Sequence, residues 1–139
     1  FNPYYTHKIT VFDIMSCANK DPFNDESDVF MKISVDGLVY IDEHHWKDNQ
    51  APKNVKKNVF WGKEQAEFGD EYSEEFNTIY FARQDNTEIK IAVFDKDGTS
   101  GNDSMGSLTV VLAPGESCIW SNQSTSSGEA RVSATIEAK

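Results

Sequence analysis

Three aspartates, Asp95, Asp97 and Asp103, sit in the stretch 94–106, which reads Phe-Asp-Lys-Asp-Gly-Thr-Ser-Gly-Asn-Asp-Ser-Met-Gly. Carboxylates crowded into one loop repel each other unless positive charge sits among them. A hard divalent cation meets that need, because it takes several carboxylate and carbonyl oxygens. The same residue types also build ordinary solvent-exposed turns, so the stretch by itself supports either a cation site or a plain loop. An EF-hand is excluded. Counting from Asp95, Ser100 stands where that loop needs glycine and Gly106 where it needs glutamate, and the flanks read as strands rather than helices.

A second acidic stretch, 18–28, carries Asp21, Asp25, Glu26 and Asp28, with Phe23 as its one aromatic residue. Lys53, Lys56 and Lys57 form the one basic cluster. His44 and His45 are adjacent, and neighbours along a strand point to opposite faces, so they make a poor chelating pair for a transition metal.

These loops must be held by strands. Apolar and β-branched residues run through 89–94 and 108–112 on either side of the central acidic stretch, as strands require. Val29, Met31, Ile33 and Val35 alternate with Phe30, Lys32 and Ser34, a period of two. Asp36-Gly37 then marks a hairpin turn, with 38–41 as the returning strand. Ile9 and Val11, with their neighbours Thr10, Phe12 and Ile14, put apolar groups on both faces, the pattern of a strand covered on both sides. Short strands are also expected at 59–61 and 74–81, a serine-rich surface loop at 121–128, and a last strand through Val132, Ala134 and Ile136. About eight strands with turns between them describe an all-β chain, an antiparallel β-sandwich in one domain over 1–139.

Composition narrows the function. Hydrophobic residues are 38% and aromatics 12% of 139 residues, enough for a folded core. The net charge is −10, from 13 Lys+Arg against 23 Asp+Glu. Nucleic acid is therefore not an expected partner, since its binding rests on neutralising phosphates. A bare anionic membrane repels such a chain as well, unless metal reverses the local potential. No nucleophile–base pair, phosphate-cradling glycine loop or zinc spacing is present, so an enzyme is not expected. Cys17 and Cys118 are expected at opposite ends of the sandwich as free thiols. Asn102 and Asn122 both begin glycosylation tripeptides; a glycan on Asn102 would crowd the acidic loop, which leaves Asn122 as the acceptor. The chain begins at Phe1 and is expected to be a processed or excised piece, with a larger parent chain in view.

The chain resembles the C2 domain, the calcium- and phospholipid-binding β-sandwich of protein kinase C and the synaptotagmins. The resemblance rests first on Val93-Phe94-Asp95-Lys96-Asp97 followed by Asn102-Asp103-Ser104-Met105-Gly106. It rests also on Asp21 with Ser27-Asp28-Val29-Phe30-Met31-Lys32-Ile33, and on Tyr72-Ser73-Glu74-Glu75-Phe76. Three departures are visible. The interval from Asp21 to Asp28 is one residue longer than usual, Val29 replaces a proline, and 42–70 is long and lacks the family's Asn-Pro pair.

The resemblance implies a C2-like Greek key of eight strands in which Asp21, Asp28, Asp95, Asp97 and Asp103 hold Ca2+. Asp25 is the substitute for Asp21, and the backbone carbonyls of Lys20 and Lys96 add neutral oxygens. Such a set accommodates about two or three calcium ions. Calcium is favoured over magnesium, because a cup made from separate loops is roomy and irregular while magnesium demands a tight octahedron. The implied function is calcium-dependent binding to an anionic phospholipid membrane. Phe23 either inserts at the lipid interface or caps the local core. Lys53, Lys56 and Lys57 either touch headgroups or form a solvated face, the latter being favoured.

The alternative is a secreted, calcium-stabilised sandwich that binds a protein partner or, through Trp46, Trp61 or Trp120, a sugar, and ignores lipid. The expected location is peripheral to a membrane, with a lean toward the extracellular side.

Overall fold

The computed structural model describes residues 5–17, 26–27, 29–41, 55–56, 60–62, 78–95 and 103–139. Among these, every regular element is a strand: β1 (His7–Ser16), β2 (Glu26–Ser27), β3 (Val29–Val35), β4 (Leu38–Ile41), β5 (Val55–Lys56), β6 (Phe60–Gly62), β7 (Thr78–Phe81), β8 (Thr87–Asp95), β9 (Asp103–Leu112), β10 (Cys118–Ser124) and β11 (Ala130–Ala138). No helix of the described residues is long and apolar enough to cross a membrane.

Two antiparallel sheets form a sandwich. One has the order β10-β11-β1, with β6 and β7 both paired to the far side of β1; the other runs β4-β3-β8-β9. Gly62 opposes Asp13 and Thr78 opposes Thr10, so β6 and β7 lie end to end along one edge. The two-residue strands β2 and β5 pair separately, Glu26 against Lys56. Eight strands have four residues or more, in line with the sequence pattern, and β2, β5 and β6 add short pieces.

The alternation seen in the sequence is the alternation that packs. Met31, Ile33 and Val35 of β3 meet Ile89, Ile91 and Val93 of β8 across the ladder, and all six are fully buried. The facing sheet supplies Ile9, Val11 and Ile14 from β1 with Val132, Ala134 and Ile136 from β11. Each such isoleucine or valine contributes about 1.5–3 kcal/mol relative to an exposed position.

β1 departs from the expected pattern. Val11 pairs with Ala134 but Asp13 pairs with Ser133, so Phe12 is an extra residue, a β-bulge that re-aims the chain after it. That is why Val11 and Ile14, three apart, are both buried, while Phe12 is 47% exposed. The strand is covered on one face, and its apparently two-sided apolar pattern is one face interrupted by a bulge. The serine-rich stretch differs too: 121–124 continues β10, and only 125–129 turns back into β11.

One end of the sandwich is closed by His7, which is fully buried. Its Nε2–H donates to the Glu116 carbonyl at 2.9 Å, and its ring stacks on Phe81 at 5.1 Å.

Near that end the β3–β4 hairpin turns at Asp36 (φ 51°) and Gly37 (φ 80°), the left-handed pair that a two-residue hairpin needs. Asp36 accepts from the Glu88 backbone N–H at 2.9 Å and from Arg83 Nε at 3.0 Å. The Glu88 N–H, then Arg83, hold its carboxyl below the ordinary carboxylate range. A carboxyl whose folded pKa is depressed adds stability above its unfolded pKa, near 4, and loses it as the pH falls through the folded value. Asp36→Asn is therefore expected to lower the urea midpoint at neutral pH, with the gap to wild type shrinking below about pH 4. A gap that stays constant on acidification would contradict the assignment.

Candidate metal-binding loops

The end of the sandwich opposite His7 is organised by one row of the sheet. Val29 of β3 pairs with Asp95 of β8, and Asp95 pairs with Asp103 of β9. Val29 follows Asp28 in the chain, so the residue just after the first acidic stretch shares this row with Asp95 and Asp103 of the second. Directly opposed residues of an antiparallel pair share a face, with Cα atoms roughly 5 Å apart. Asp95 has the parity of Ile89, Ile91 and Val93 and is 2% exposed. Asp103 lies beside it at the solvent edge.

Asp103 would not share that face without an irregularity in β9. Leu108 and Leu112 are buried on the inward face, and strict alternation from them would send Asp103 outward. The ladder shifts between Phe94↔Ser104 and Ala92↔Ser107, so Met105 and Gly106 together oppose the single residue Val93. One extra residue exchanges the faces. Met105 is thereby fully buried, and Asp103 comes to the face of Asp95.

The bulge needs glycine. Gly106 has φ +90°, and a Cβ there would stand 2.6 Å from Thr125 Oγ1 and 2.7–2.8 Å from Ser127 Oγ and N. The Gly106 N–H donates to Ser104 Oγ at 3.2 Å.

The pair is a hard-oxygen donor set of the kind calcium takes. Two like unit charges as far apart as these Cα atoms, roughly 5 Å, repel by about 1–3 kcal/mol at effective dielectrics between about 80 and 20. Burial makes the charge on Asp95 costly unless it is compensated. Asp95 and Asp103 therefore fit a divalent cation chemically. Among the described residues no group of three or more His, Cys, Asp or Glu side chains converges.

The sequence model of the C2 domain family matches residues 5–127. The chain belongs to the C2 domain family. No curated protein sequence matches it.

Among solved structures, human GIVD cytosolic phospholipase A2 is similar over 95% of this chain and 16% of its own, at 11% identity and a TM-score of 0.58. A two-domain structure of Extended-Synaptotagmin 2 is similar over 99% of this chain and 42% of its own, at 14% identity and 0.57. A structure described only as a C2 domain matches over 95% and 96% of the two chains, at 12% identity and 0.55. This C2 chain thus spans about a sixth of the phospholipase and under half of the synaptotagmin structure. At these identities the likeness is one of fold. The expected lean toward a secreted protein has no support in these neighbours.

Of the site residues expected from sequence, the structure describes Asp95 and Asp103 and brings them together. Lys20, Asp21, Phe23, Asp25, Asp28, Lys53, Lys57, Lys96 and Asp97 lie outside the described residues, as do His44, His45 and Trp46. Lys56 is described only as a strand residue opposite Glu26. Trp120 packs partly buried against the core. Asn122 lies within β10 with φ 48° and its side-chain oxygen enclosed, a poor setting for a glycan acceptor.

Cys17 and Cys118 are thiols and form no disulfide. Cys118 pairs with Ile136, whereas Ser16 pairs with Ala130, so roughly 20 Å of β11 separates the two cysteines.

Sequence reasoning misses one feature of this C2 domain. Lys32 and Lys90, on the outward face of β3 and β8, line a groove of about 170 Å³ with Ser34, Gly37, Val39, Ala92 and Phe94. Alternation puts each lysine outward, but only the pairing of β3 with β8 makes them neighbours. This β3–β8 groove carries positive charge on a chain of net charge −10.

Gly106→Ala combines a left-handed backbone with contacts under 3 Å, all of them to the turn 125–129. It is expected to destabilise the domain by about 2–4 kcal/mol, read as a lower urea midpoint; an unchanged midpoint would show that the turn gives way freely.

Proposed function

We propose that this C2 domain binds phospholipid membranes in a calcium-dependent manner, with Ca2+ held by Asp21, Asp28, Asp95, Asp97 and Asp103. In this reading Asp25 can replace Asp21, and the carbonyls of Lys20 and Lys96 complete the set. The reading is carried by one observation: Asp95 and Asp103 are opposed on one face at one end of the sandwich, in the same row as Val29. Chain connectivity brings Asp28 and Asp97 within two residues of that row. When bound, calcium supplies positive charge and coordination positions that phosphate oxygens fill.

The protein's own residues do the rest. The aspartates collect negative charge at the rim, so that without metal the end of the domain turns anionic headgroups away. The ladder fixes Asp95 and Asp103 relative to each other, which lowers the entropy lost when both take one ion. Phe23 is placed in the first acidic stretch to enter the lipid interface. Lys32 and Lys90 offer cationic contact to headgroups, each lysine contributing about 1 kcal/mol near an anionic surface, while Lys53, Lys56 and Lys57 are read first as a solvated face. The module acts by binding and carries out no reaction of its own.

Sedimentation with vesicles of mixed zwitterionic and anionic phospholipid tests the membrane half. The wild type is expected to pellet with calcium and to stay in the supernatant with chelator. Pelleting that ignores calcium, or calcium binding with no pelleting, would reject the lipid reading, and the latter result would favour a calcium-triggered protein partner.

Titration calorimetry of the wild type against the double variant Asp95→Asn with Asp97→Asn tests the metal half. Altering a ligand's supporting partner alone weakens metal sites about 10–100-fold, so loss of two ligands is expected to weaken calcium binding by more than about a hundredfold. Equal heats in both proteins would reject the site.

A further inference from the structure

The β10–β11 turn, residues 125–129, touches the strands that serve both acidic stretches. On one side Thr125 Oγ1–H donates to the Met105 carbonyl at 2.6 Å in a buried bond. Ser126 N–H donates to the Ser107 carbonyl at 3.0 Å, and Ser107 N–H returns a bond to Ser126 Oγ at 3.2 Å. Three bonds therefore bracket Gly106, the residue that makes the β9 bulge. On the other side the Cys17 N–H donates to the Glu129 carbonyl at 2.8 Å, where β1 ends and the first acidic stretch begins.

The turn is itself tied down. Thr125 N–H donates to the Ala130 carbonyl and Gly128 N–H to the Thr125 carbonyl, both at 2.9 Å. Gly128 takes φ 76°, and Thr125 is 4% exposed.

We propose that this turn is a brace that holds the β9 bulge, and with it the face Asp103 shares with Asp95, with Thr125 as its positioning residue. The physical reason lies in the bulge. A bulged residue leaves the ladder locally unpaired, so its backbone groups need partners from elsewhere. The Met105 carbonyl finds one in Thr125. Without it, β9 can relax toward regular alternation, and the face that Asp103 shares with Asp95 is no longer enforced. The composition of the turn follows: short hydroxyl side chains reach backbone groups of β9 in the other sheet, and Gly106 presents no Cβ to block them.

The metal aspect of this inference rests on the calcium site proposed above, so the test has two independent arms. Thr125→Val keeps the shape of the side chain and removes the donor; Thr125→Ser keeps the donor. In metal-free protein, amide hydrogen exchange over 103–107 is expected to speed up about tenfold in the valine variant. Exchange over 29–35 and 89–92 should stay at the wild-type rate, and the serine variant should match the wild type.

In the second arm, calcium titration with a terbium-luminescence competition readout is expected to show about tenfold weaker binding for Thr125→Val, the equivalent of one hydrogen bond, and rescue by Thr125→Ser. Wild-type exchange over 103–107 in the valine variant overturns the brace. Faster exchange throughout the chain reduces Thr125 to a general stability role and overturns it as well. Altered exchange with unchanged calcium affinity overturns the positioning claim alone. A wild type that binds no calcium overturns the functional reading and the affinity arm with it, while the exchange arm still decides whether the brace exists.

Discussion

The face that Asp103 shares with Asp95 depends on a single extra residue in β9. The parity of a β-strand is strict, so a regular β9 that buries Leu108 and Leu112 turns Asp103 toward the outside of the sheet. The Met105–Gly106 bulge opposes two residues to Val93 and reverses that parity within one ladder step. The cost is a left-handed backbone at Gly106 and a locally unpaired ladder, and the offset comes from the turn 125–129 packed directly against it. A site built on strand ends inherits the rigidity of the core behind it, here Ile89, Ile91 and Val93 facing Met31, Ile33 and Val35.

Charge and topology act in the same direction. An acidic chain of net charge −10 gains nothing from scattering carboxylates over its surface if its task is to switch. Setting Asp95 beside Asp103 at one rim concentrates negative charge that a divalent ion can offset. The outward groove with Lys32 and Lys90 lies on a separate face of the β3–β8 pair, so the proposed calcium end and a cationic contact surface are distinct regions of the same sheet. Membership of the C2 family and structural likeness at 11–14% identity give the sandwich. The chemistry of the rim has to be argued from this chain's own residues.

Both sheets carry bulges, among them one in β1 and one in β9. In β1, Phe12 is extruded and Ile14 returns to the core; in β9, Gly106 turns and Met105 is buried. The turn 125–129 reaches the β9 bulge itself, through Thr125 to Met105, and the far end of β1, through Glu129 to Cys17. Bulges increase local twist and bend the strand that holds them. Strand ends treated in this way need an external tie, and this turn supplies it.

Whatever is local in this chain was legible before folding. Alternation in 29–35 and 89–93 marked strands and their buried faces, Asp36-Gly37 marked the hairpin, and the acidic stretch at 94–106 marked Asp95 and Asp103 as candidate site residues. Each of these signals arises within one segment, from the period of two or from a turn's demand for positive φ. Features that depend on a partner strand needed the packed molecule. The apolar run around Phe12 read as a strand covered on both sides, because a bulge is defined by what stands opposite and one strand viewed alone cannot show it. The serines of 125–129 read as surface loop, since their hydrogen bonds go to a strand some twenty residues earlier in the chain. For the same reason Lys32 and Lys90 became neighbours only when β3 lay against β8. Register is a relation between distant segments, fixed by the packing of the whole core, and it puts Asp95 and Asp103 side by side.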